Sequence, residues 1–260
     1  MNNHEIDFKL SGEEMQCVEI ELDPQEAVIA EPGSFMMMTD GIQMQTLFGD
    51  GNEKGIMGKL FSAGKRLLTG ENLFMTVYTN TSQQKRQVSF AAPYAGKIIP
   101  LDLHRLGGKI ICQKDSFLCA AKGVAVGIEF QKKLGTGLFG GEGFIMQKLE
   151  GDGLAFVHSG GHVIEKNLQI GELLKVDTGC IVAFTSDVDY DIQFVGGVKN
   201  TLFGGEGMFY ASLRGPGKVW IQTLPISRLA GRILSYGSFR RKEEGSILGG
   251  LGNILDGDGI

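Results

Sequence analysis

The stretch LFGGEG at residues 138–143 returns unchanged at residues 202–207, and this repetition decides the fold. The match continues downstream, because Leu149, Gly151 and Gly153 each have the same residue type 64 positions further along the chain. Long-range identity at a fixed offset is typical of a supersecondary unit copied along the chain. The sequence therefore predicts tandem copies of one unit.

A third, weaker copy lies upstream in LLTGEN at residues 67–72. The units then run from about residue 5 to 93, 94 to 160 and 161 to 225. Because such units cannot each bury a full core alone, we expect them to pack about a pseudo-threefold axis. Residues 1–236 are predicted to form a single compact domain.

Glycine indicates what kind of unit this is. It occupies 40 of 260 positions, about twice its average use, and it stands between short apolar runs as turns do. The runs LLKVD at 173–177 and YDIQF at 190–194 alternate as half-buried antiparallel strands do. The fold class is predicted to be all-β, with three β-sandwich or jelly-roll-like repeats. The run at residues 36–38 is interpreted as strand core.

The pattern changes near the C-terminus. Ile226, Leu229 and Ile233 fall near helical spacing after Pro225, which predicts a short docked helix over residues 225–236. Residues 237–260 are too rich in glycine for a firm helix. They are predicted to be a flexible tail, either disordered or ordered on a partner.

Charge and cysteine usage exclude some functions. The net charge of −5 argues against nucleic-acid binding, which needs basic patches. The four cysteines show no C-x-x-C pair, so a reducing compartment is expected. A secretory signal and an apolar run long enough to cross a bilayer are both missing from the sequence. We expect a cytoplasmic protein, with peripheral membrane association as an option.

Glu71, Glu142 and Glu206 mark the three Gly-Glu turns. Brought together, they could act as acid/base groups or as ligands of a hard cation. The favoured interpretation is structural: each carboxylate accepts backbone N–H bonds of its own turn. No catalytic, cofactor-binding or metal-binding residue is predicted, and no cofactor.

Leu-Phe pairs precede two of these turns: Leu138 with Phe139, and Leu202 with Phe203. As apolar loop tips they could enter a bilayer interface or the groove of a partner protein. The favoured alternative is that the two phenylalanines fill the gap between repeats as core residues.

His158 and His162 stand four apart, a spacing that holds a metal only on a helix. Ser159, Gly160 and Gly161 lie between them and predict a turn. The spacing therefore loses its geometric meaning, and no metal site is predicted here.

The Gly-Glu patterns, together with PLDL at 100–103 and FLCAA at 117–121, resemble those of the mitochondrial biogenesis (altered inheritance of mitochondria) family. The resemblance covers about residues 5 to 235, and bacterial members of the family have no known function. It implies a fold similar to the tryptophan RNA-binding attenuator protein, with three such units in one chain. It also implies protein partners, because mitochondrial members are linked to inner-membrane organisation. Tryptophan and RNA binding are not implied, since function depends on the site and not on the fold.

These observations favour a non-enzymatic scaffold or interaction protein that associates with membrane proteins or a membrane surface. Exposed strand edges favour a homo-oligomer, a trimer or a dimer. The alternative is a small-ligand binding module with a site between repeats. The third hypothesis is an enzyme that uses Glu142 or Glu206.

Overall fold

The computed structural model describes residues 6–48, 74–132, 144–195, 208–234 and 236. These residues form antiparallel strands, which confirms the all-β class. The strands are β1 Asp7–Ser11, β2 Cys17–Leu22, β3 Ala27–Ala30, β4 Phe35–Met38, β5 Ile42–Phe48, β6 Phe74–Asn80, β7 Arg86–Ala91, β8 Gly96–Asp102, β9 Lys109–Gln113, β10 Phe117–Ala121, β11 Ala125–Lys132, β12 Phe144–Glu150, β13 Leu154–Gly160, β14 Val163–Leu168, β15 Leu173–Asp177, β16 Ile181–Thr185, β17 Asp189–Val195, β18 Met208–Arg214 and β19 Gly217–Gln222.

The strands hydrogen-bond in groups of three, and two orders recur. We call β5-β6-β3, β11-β12-β9 and β17-β18-β15 the A groups. We call β2-β7-β4, β8-β13-β10 and β14-β19-β16 the B groups. One A group and one B group come from each of three successive parts of the chain.

Neighbouring parts of the chain are joined by strand pairing. The first A group continues into the second B group through β3 and β10, which makes a six-stranded sheet. The second A group continues into the third B group through β9 and β16 in the same way. The first B group, extended by β1, and the third A group each remain a separate sheet. We call the contacts β3–β10 and β9–β16 the first and second junctions.

Side-chain patterns explain which strands stand at a surface. In β2, Val18, Ile20 and Leu22 are fully buried while the intervening residues are half-buried, as expected for a strand with one core face. In β10 and β16 every residue is buried. These two strands lie in the middle of six-stranded sheets, so both their faces and both their edges are covered.

The core lies between A and B groups and crosses the junctions. In the first part of the chain the rings of Tyr78 on β6 and Phe90 on β7 meet edge to face at 5.1 Å. Val182 and Trp220 of the third B group belong to the same buried cluster as Phe156 of the second. This cluster therefore crosses from one part of the chain to the next, and a second buried cluster, which includes Phe144, Phe184 and Leu213, lies beside it in sequence.

The predicted C-terminal helix is present as α1, residues 226–234, and helical geometry returns at Tyr236. Its first turn is held by backbone bonds to the Pro225 carbonyl and by an ion pair between Arg228 and Asp177 at 3.2 Å. Within the described part of the chain, no helix has the length and apolar character needed to span a bilayer.

The interpretation of residues 36–38 as strand core is wrong. Met36 and Met37 are each 50% exposed and Met38 is 38% exposed. The reason is topological: β4 is hydrogen-bonded to β7 on one side, and in the described sheets no strand pairs with its other edge.

Candidate functional site

The candidate residues of the Gly-Glu turns and the Leu-Phe pairs lie outside the described part of the chain. This holds for the Gly-Glu carboxylates Glu71, Glu142 and Glu206 and for the Leu-Phe pairs Leu138, Phe139, Leu202 and Phe203. The tail from residue 237 lies outside it as well. The hypotheses built on these residues stay predictions, and the candidate sites below come from other residues.

Two strand edges are the first candidate. β4 stands at one edge of its sheet with its four side chains between 38% and 50% exposed. β15 stands at the edge of the third A group, with Leu173 47% exposed. Their counterparts β10, β16, β3 and β9 pair with each other at the two junctions. The outer edge of β15 in the third A group and the outer edge of β4 in the first B group therefore pair with no described strand.

A cavity at the first junction is the second candidate. Its volume is about 390 Å³, near the lower end of the range for small-molecule sites. The wall is largely apolar, and a few polar side chains converge on it. The described residues that line it are Glu31, Pro32, Gly33, Ser34, Pro93, Tyr94, Asp115, Phe117, Leu118, His158 and Ile226.

His158 is the polar residue most deeply set in this cavity. It projects from β13, is 1% exposed, and has both ring nitrogens buried next to the backbone of Tyr94. The Tyr94 ring meets the imidazole edge to face at 4.5 Å. Burial lowers the pKa of His158 to about 4, and the nearby Tyr94 backbone opposes this only in part. At neutral pH the imidazole is therefore uncharged, with one N–H donor and one acceptor nitrogen.

Carboxyl groups face the histidine across the cavity. Burial, and to a lesser degree the charge of Asp115, raises the pKa of Glu31 to about 7, while Lys114 opposes the shift. Burial and the charges of Asp115 and Glu31 raise the pKa of Tyr94 to about 12. The Glu31 carboxyl therefore changes its protonation state near neutral pH.

The equivalent position at the second junction holds a side chain that is hydrogen-bonded to two backbone groups. Gln222 on β19 corresponds to His158 on β13, because each follows the residue paired with the first residue of β16 or β10. The Gln222 amide accepts from the Gly160 N–H at 2.7 Å and donates to the Gly179 carbonyl at 2.8 Å. A Cβ on Gly160 would collide with the Leu224 carbonyl oxygen, so glycine lets the backbones approach this closely. His158 forms no comparable bridge between two backbone segments, and its ring packs against Tyr94.

Comparison with known proteins agrees with this architecture. The family model described as mitochondrial biogenesis AIM24 matches residues 8–224. The chain belongs to this family. An uncharacterised protein of Streptococcus pyogenes serotype M6 is 30% identical over 223 residues, covering 84% of this chain and 86% of that protein. A crystal structure of a Streptococcus pyogenes protein from a structural genomics programme superposes with a TM-score of 0.70 at 24% identity, covering 89% of this chain and 100% of that one. The superposition on this crystal structure shows that the two chains share a fold.

The arrangement in this family member limits the chemistry available. Described residues contain no cluster of three or more His, Cys, Asp or Glu able to hold a metal ion. Burial raises the pKa of the Cys112 and Cys119 thiols, so neither is a thiolate nucleophile at neutral pH. The Ser34 hydroxyl donates to the Glu31 carbonyl at 2.7 Å, and His158 accepts from no hydroxyl.

Sequence reasoning missed this site. It considered His158 only as a metal ligand and placed a turn directly after it, whereas β13 continues through Gly160 and the turn is at Gly161, with a φ of 67°. One signal was available: the run LAFVHSG at 154–160 ends an apolar strand on two polar residues. Glu31 and Ile226, which line the same cavity, are far away in the sequence.

Proposed function

We propose that this protein is a non-enzymatic scaffold whose copies join edge to edge, with β4 of one copy adding to β15 of the next. The observation that carries the proposal is the exposed apolar β4, which has the position of the two buried strands β10 and β16. β4 is short, with four residues, but its unpaired backbone groups and apolar side chains can pair with a strand of another chain. A head-to-tail contact of this kind produces a ring or a filament.

The two junctions within the chain supply the register of the proposed contact. At these junctions the third residue of the B-group strand pairs with the fourth of the A-group strand, as Cys119 with Ala30 and Ala183 with Cys112. All three B groups have a bulge just before that third residue. The same rule pairs Met37 with Val176 and Met38 with Lys175 of another copy.

A crosslinking experiment tests this register. Chains carrying Met38→Cys and chains carrying Lys175→Cys, with tags of different length, are mixed and oxidised. Directly opposite residues on paired strands are close enough for a disulfide, so we expect a mixed dimer on a non-reducing gel. Met44→Cys, at an exposed position on β5, replaces Met38→Cys as the control and should give none.

Two results would contradict the proposal. One is a particle of the mass of a single 28.1 kDa chain by light scattering at every concentration tested. The other is a disulfide that forms only within a chain carrying both cysteines. That second result would instead support closure of the three repeats about a pseudo-threefold axis, which stays a prediction, as does the likeness of each repeat to the tryptophan RNA-binding attenuator protein.

A membrane or membrane-protein partner is a second part of this proposal, with the cytoplasm as its location. It is favoured by the end of α1, where Ile233 is 64% exposed and Tyr236 is 75% exposed. An apolar helix end can enter a lipid interface or a partner's groove. Flotation with phosphatidylcholine vesicles tests it: the Ile233→Ser and Tyr236→Ser double variant should lose binding, and Ile170→Ser, at a position 88% exposed elsewhere, should keep it. Equal flotation of both variants would exclude this helix end as the contact.

A further inference from the structure

We propose that the methionines of β4, Met36, Met37 and Met38, form an oxidation site that controls assembly. A peroxide converts their thioethers to sulfoxides, and the oxidised β4 no longer adds to β15 of another copy. The site rests on the edge pairing proposed above and regulates it.

The three thioethers are open to an oxidant while β4 is unpaired. Met36 and Met37 are each half exposed, and Met38 is exposed by more than a third. A methionine is oxidised as readily as the oxidant can reach its sulfur. Met75 on β6 and Met146 on β12 are 5% and 0% exposed, so they should react far more slowly. The chain therefore carries its own slow-reacting controls.

The two junctions show how deeply these positions are buried once an A-group edge pairs with them. The strands β10 and β16 correspond to β4 residue by residue, because all three have a bulge just before their third residue. The positions of the three methionines are then occupied by residues that are each exposed by no more than 2%: Leu118, Cys119, Ala120, Val182, Ala183 and Phe184. Pairing of β4 with another copy would therefore bury all three thioethers.

A sulfoxide is unfavourable at such positions. Oxidation turns an apolar thioether into a polar group with a hydrogen-bond acceptor. None of the six side chains at the equivalent positions carries a hydroxyl, an amide or a charge, so the junctions are built for apolar groups there. Burying a polar group without a hydrogen bond costs free energy, whereas in the unpaired strand the sulfoxide stays in water. Oxidation therefore favours the separate chain.

Met37 should matter most among the three. In the register of the proposed contact it lies opposite Val176, which is apolar and buried. Met38 lies opposite Lys175, whose ammonium can donate a hydrogen bond to a sulfoxide oxygen. The penalty is therefore expected to be larger for a sulfoxide at residue 37 than for one at residue 38.

Most thiols of the chain compete poorly with these thioethers. The thiolate is the form of cysteine that attacks a peroxide, and burial raises the pKa of Cys112 and Cys119. Burial and the charge of Asp177 also raise the pKa of Cys180, against the opposing effect of Arg228. Cys17 is half-buried and is removed in a control variant below.

The chemistry needs a peroxide and, for its reversal, a thiol. One oxygen of hydrogen peroxide is transferred to the methionine sulfur, which loses two electrons, while the O–O bond breaks and the second oxygen leaves as water. A methionine sulfoxide reductase restores the thioether: two thiols become a disulfide, and the sulfoxide oxygen leaves as water. The modification is therefore reversible.

The experiment uses the full chain, oxidised with graded doses of hydrogen peroxide at a concentration low enough to keep the chains separate. Peptide mass spectrometry locates each sulfoxide, and sedimentation equilibrium measures association. We expect residues 36–38 to be oxidised at least tenfold faster than Met75 and Met146, and the association constant to fall at least tenfold. Treatment with both types of methionine sulfoxide reductase, one for each sulfoxide epimer, should restore it. Circular dichroism verifies that the oxidised chain is folded.

Matched variants assign the effect to β4. Met37→Gln, which is polar as the sulfoxide is, should weaken association at least tenfold without any oxidant, and more than Met38→Gln does. A control chain carries Met15→Leu, Met44→Leu and Cys17→Ser, and so lacks exposed sulfurs elsewhere. It should remain as sensitive to peroxide as the unmodified chain. A chain with leucine at residues 36–38 should have the same association constant before and after peroxide.

The outcomes separate this site from the edge pairing. Undiminished association of chains oxidised at residues 36–38 would overturn the oxidation site and leave the edge pairing intact. An equal loss on oxidation in the chain with three leucines would do the same. A reduced chain that stays single at every concentration would overturn both. If the chain with three leucines does not associate, the reductase treatment decides, because association must then return in step with the reduction of residues 36–38.

Discussion

β4 and β10 occupy the same place in the strand order, and their sequences, FMMM and FLCAA, are both apolar. Yet β10 is buried throughout, while every side chain of β4 is exposed by more than a third. The difference lies in the neighbour, because β3 pairs with the far edge of β10 and no described strand pairs with that edge of β4. In sheets joined end to end, the burial of a strand is thus a property of the junction. β4 is an apolar strand at the end of its sheet, and no described strand pairs with its outer edge.

His158 and Gln222 extend the same comparison to side chains. Both stand at a junction, both are less than 5% exposed, and both follow an equivalent residue pair. Gln222 links the backbones of two groups, whereas His158 opens onto a cavity. The two junctions therefore differ in how their buried polar side chain is used.

The largest effect should come from placing the same charge at equivalent positions of β10 and β4. Ala120→Lys buries an unpaired ammonium in a strand that is fully buried, so we expect a loss of about 4 kcal/mol or more in the free energy of unfolding. Met38→Lys, at a position 38% exposed, should change it by no more than about 0.5 kcal/mol. Urea unfolding at one chain concentration measures both. Similar losses in the two variants would mean that β4 is covered.

A smaller effect, of about 3 kcal/mol, should appear in the pH dependence of the free energy of unfolding. Burial lowers the pKa of His158 from 6.5 to about 4, so its contribution is lost as the pH falls from 6.5 to 4. The pKa of Glu31 is raised from 4.5 to about 7, so its contribution is present below pH 4.5 and is lost as the pH rises through 7. The two slopes oppose each other between pH 4.5 and 6.5.

Single variants should expose these two slopes. Relative to the unmodified chain, Glu31→Gln should lose stability on acidification from pH 6.5, because the histidine term then acts alone. His158→Leu should lose stability as the pH rises from 4.5 to 7. Urea unfolding over this range measures both, with Glu13→Gln as the control. Profiles parallel to that of the unmodified chain would mean that burial does not shift the pKa values of Glu31 and His158.

The smallest effect should separate the two junctions by hydrogen bonding. Gln222→Leu leaves the Gly160 N–H and the Gly179 carbonyl without their partner, and we expect a loss of about 1–3 kcal/mol in the free energy of unfolding. His158→Leu removes no bridge between two backbone segments, so the free energy of unfolding should fall by less than in Gln222→Leu. Thermal and urea unfolding at pH 7.5 compare the two variants. A larger loss in His158→Leu than in Gln222→Leu would contradict this expectation.

Much of the fold could be predicted because its signals are local. Alternation in residues 173–177 predicted β15, and the helix after Pro225 followed from the spacing of its apolar residues. The offset of 64 between residues 138 and 202 also separates Lys109 from Leu173, where β9 and β15 begin. The candidate sites were not predicted, because Glu31, Asp115 and His158 meet only after strands from distant parts of the chain have paired.

The sequence by itself determined that short apolar and alternating runs between glycines become strands. Side-chain alternation and turn chemistry act within a few residues, so these features can be recognised without knowing what lies alongside. Only the tertiary structure decided which edge is covered and which buried polar group links two backbone segments. Met38 is as apolar as Ala120, and His158 is as buried as Gln222. What separates the members of each pair is the neighbouring backbone, which long-range strand pairing brings to one and not to the other.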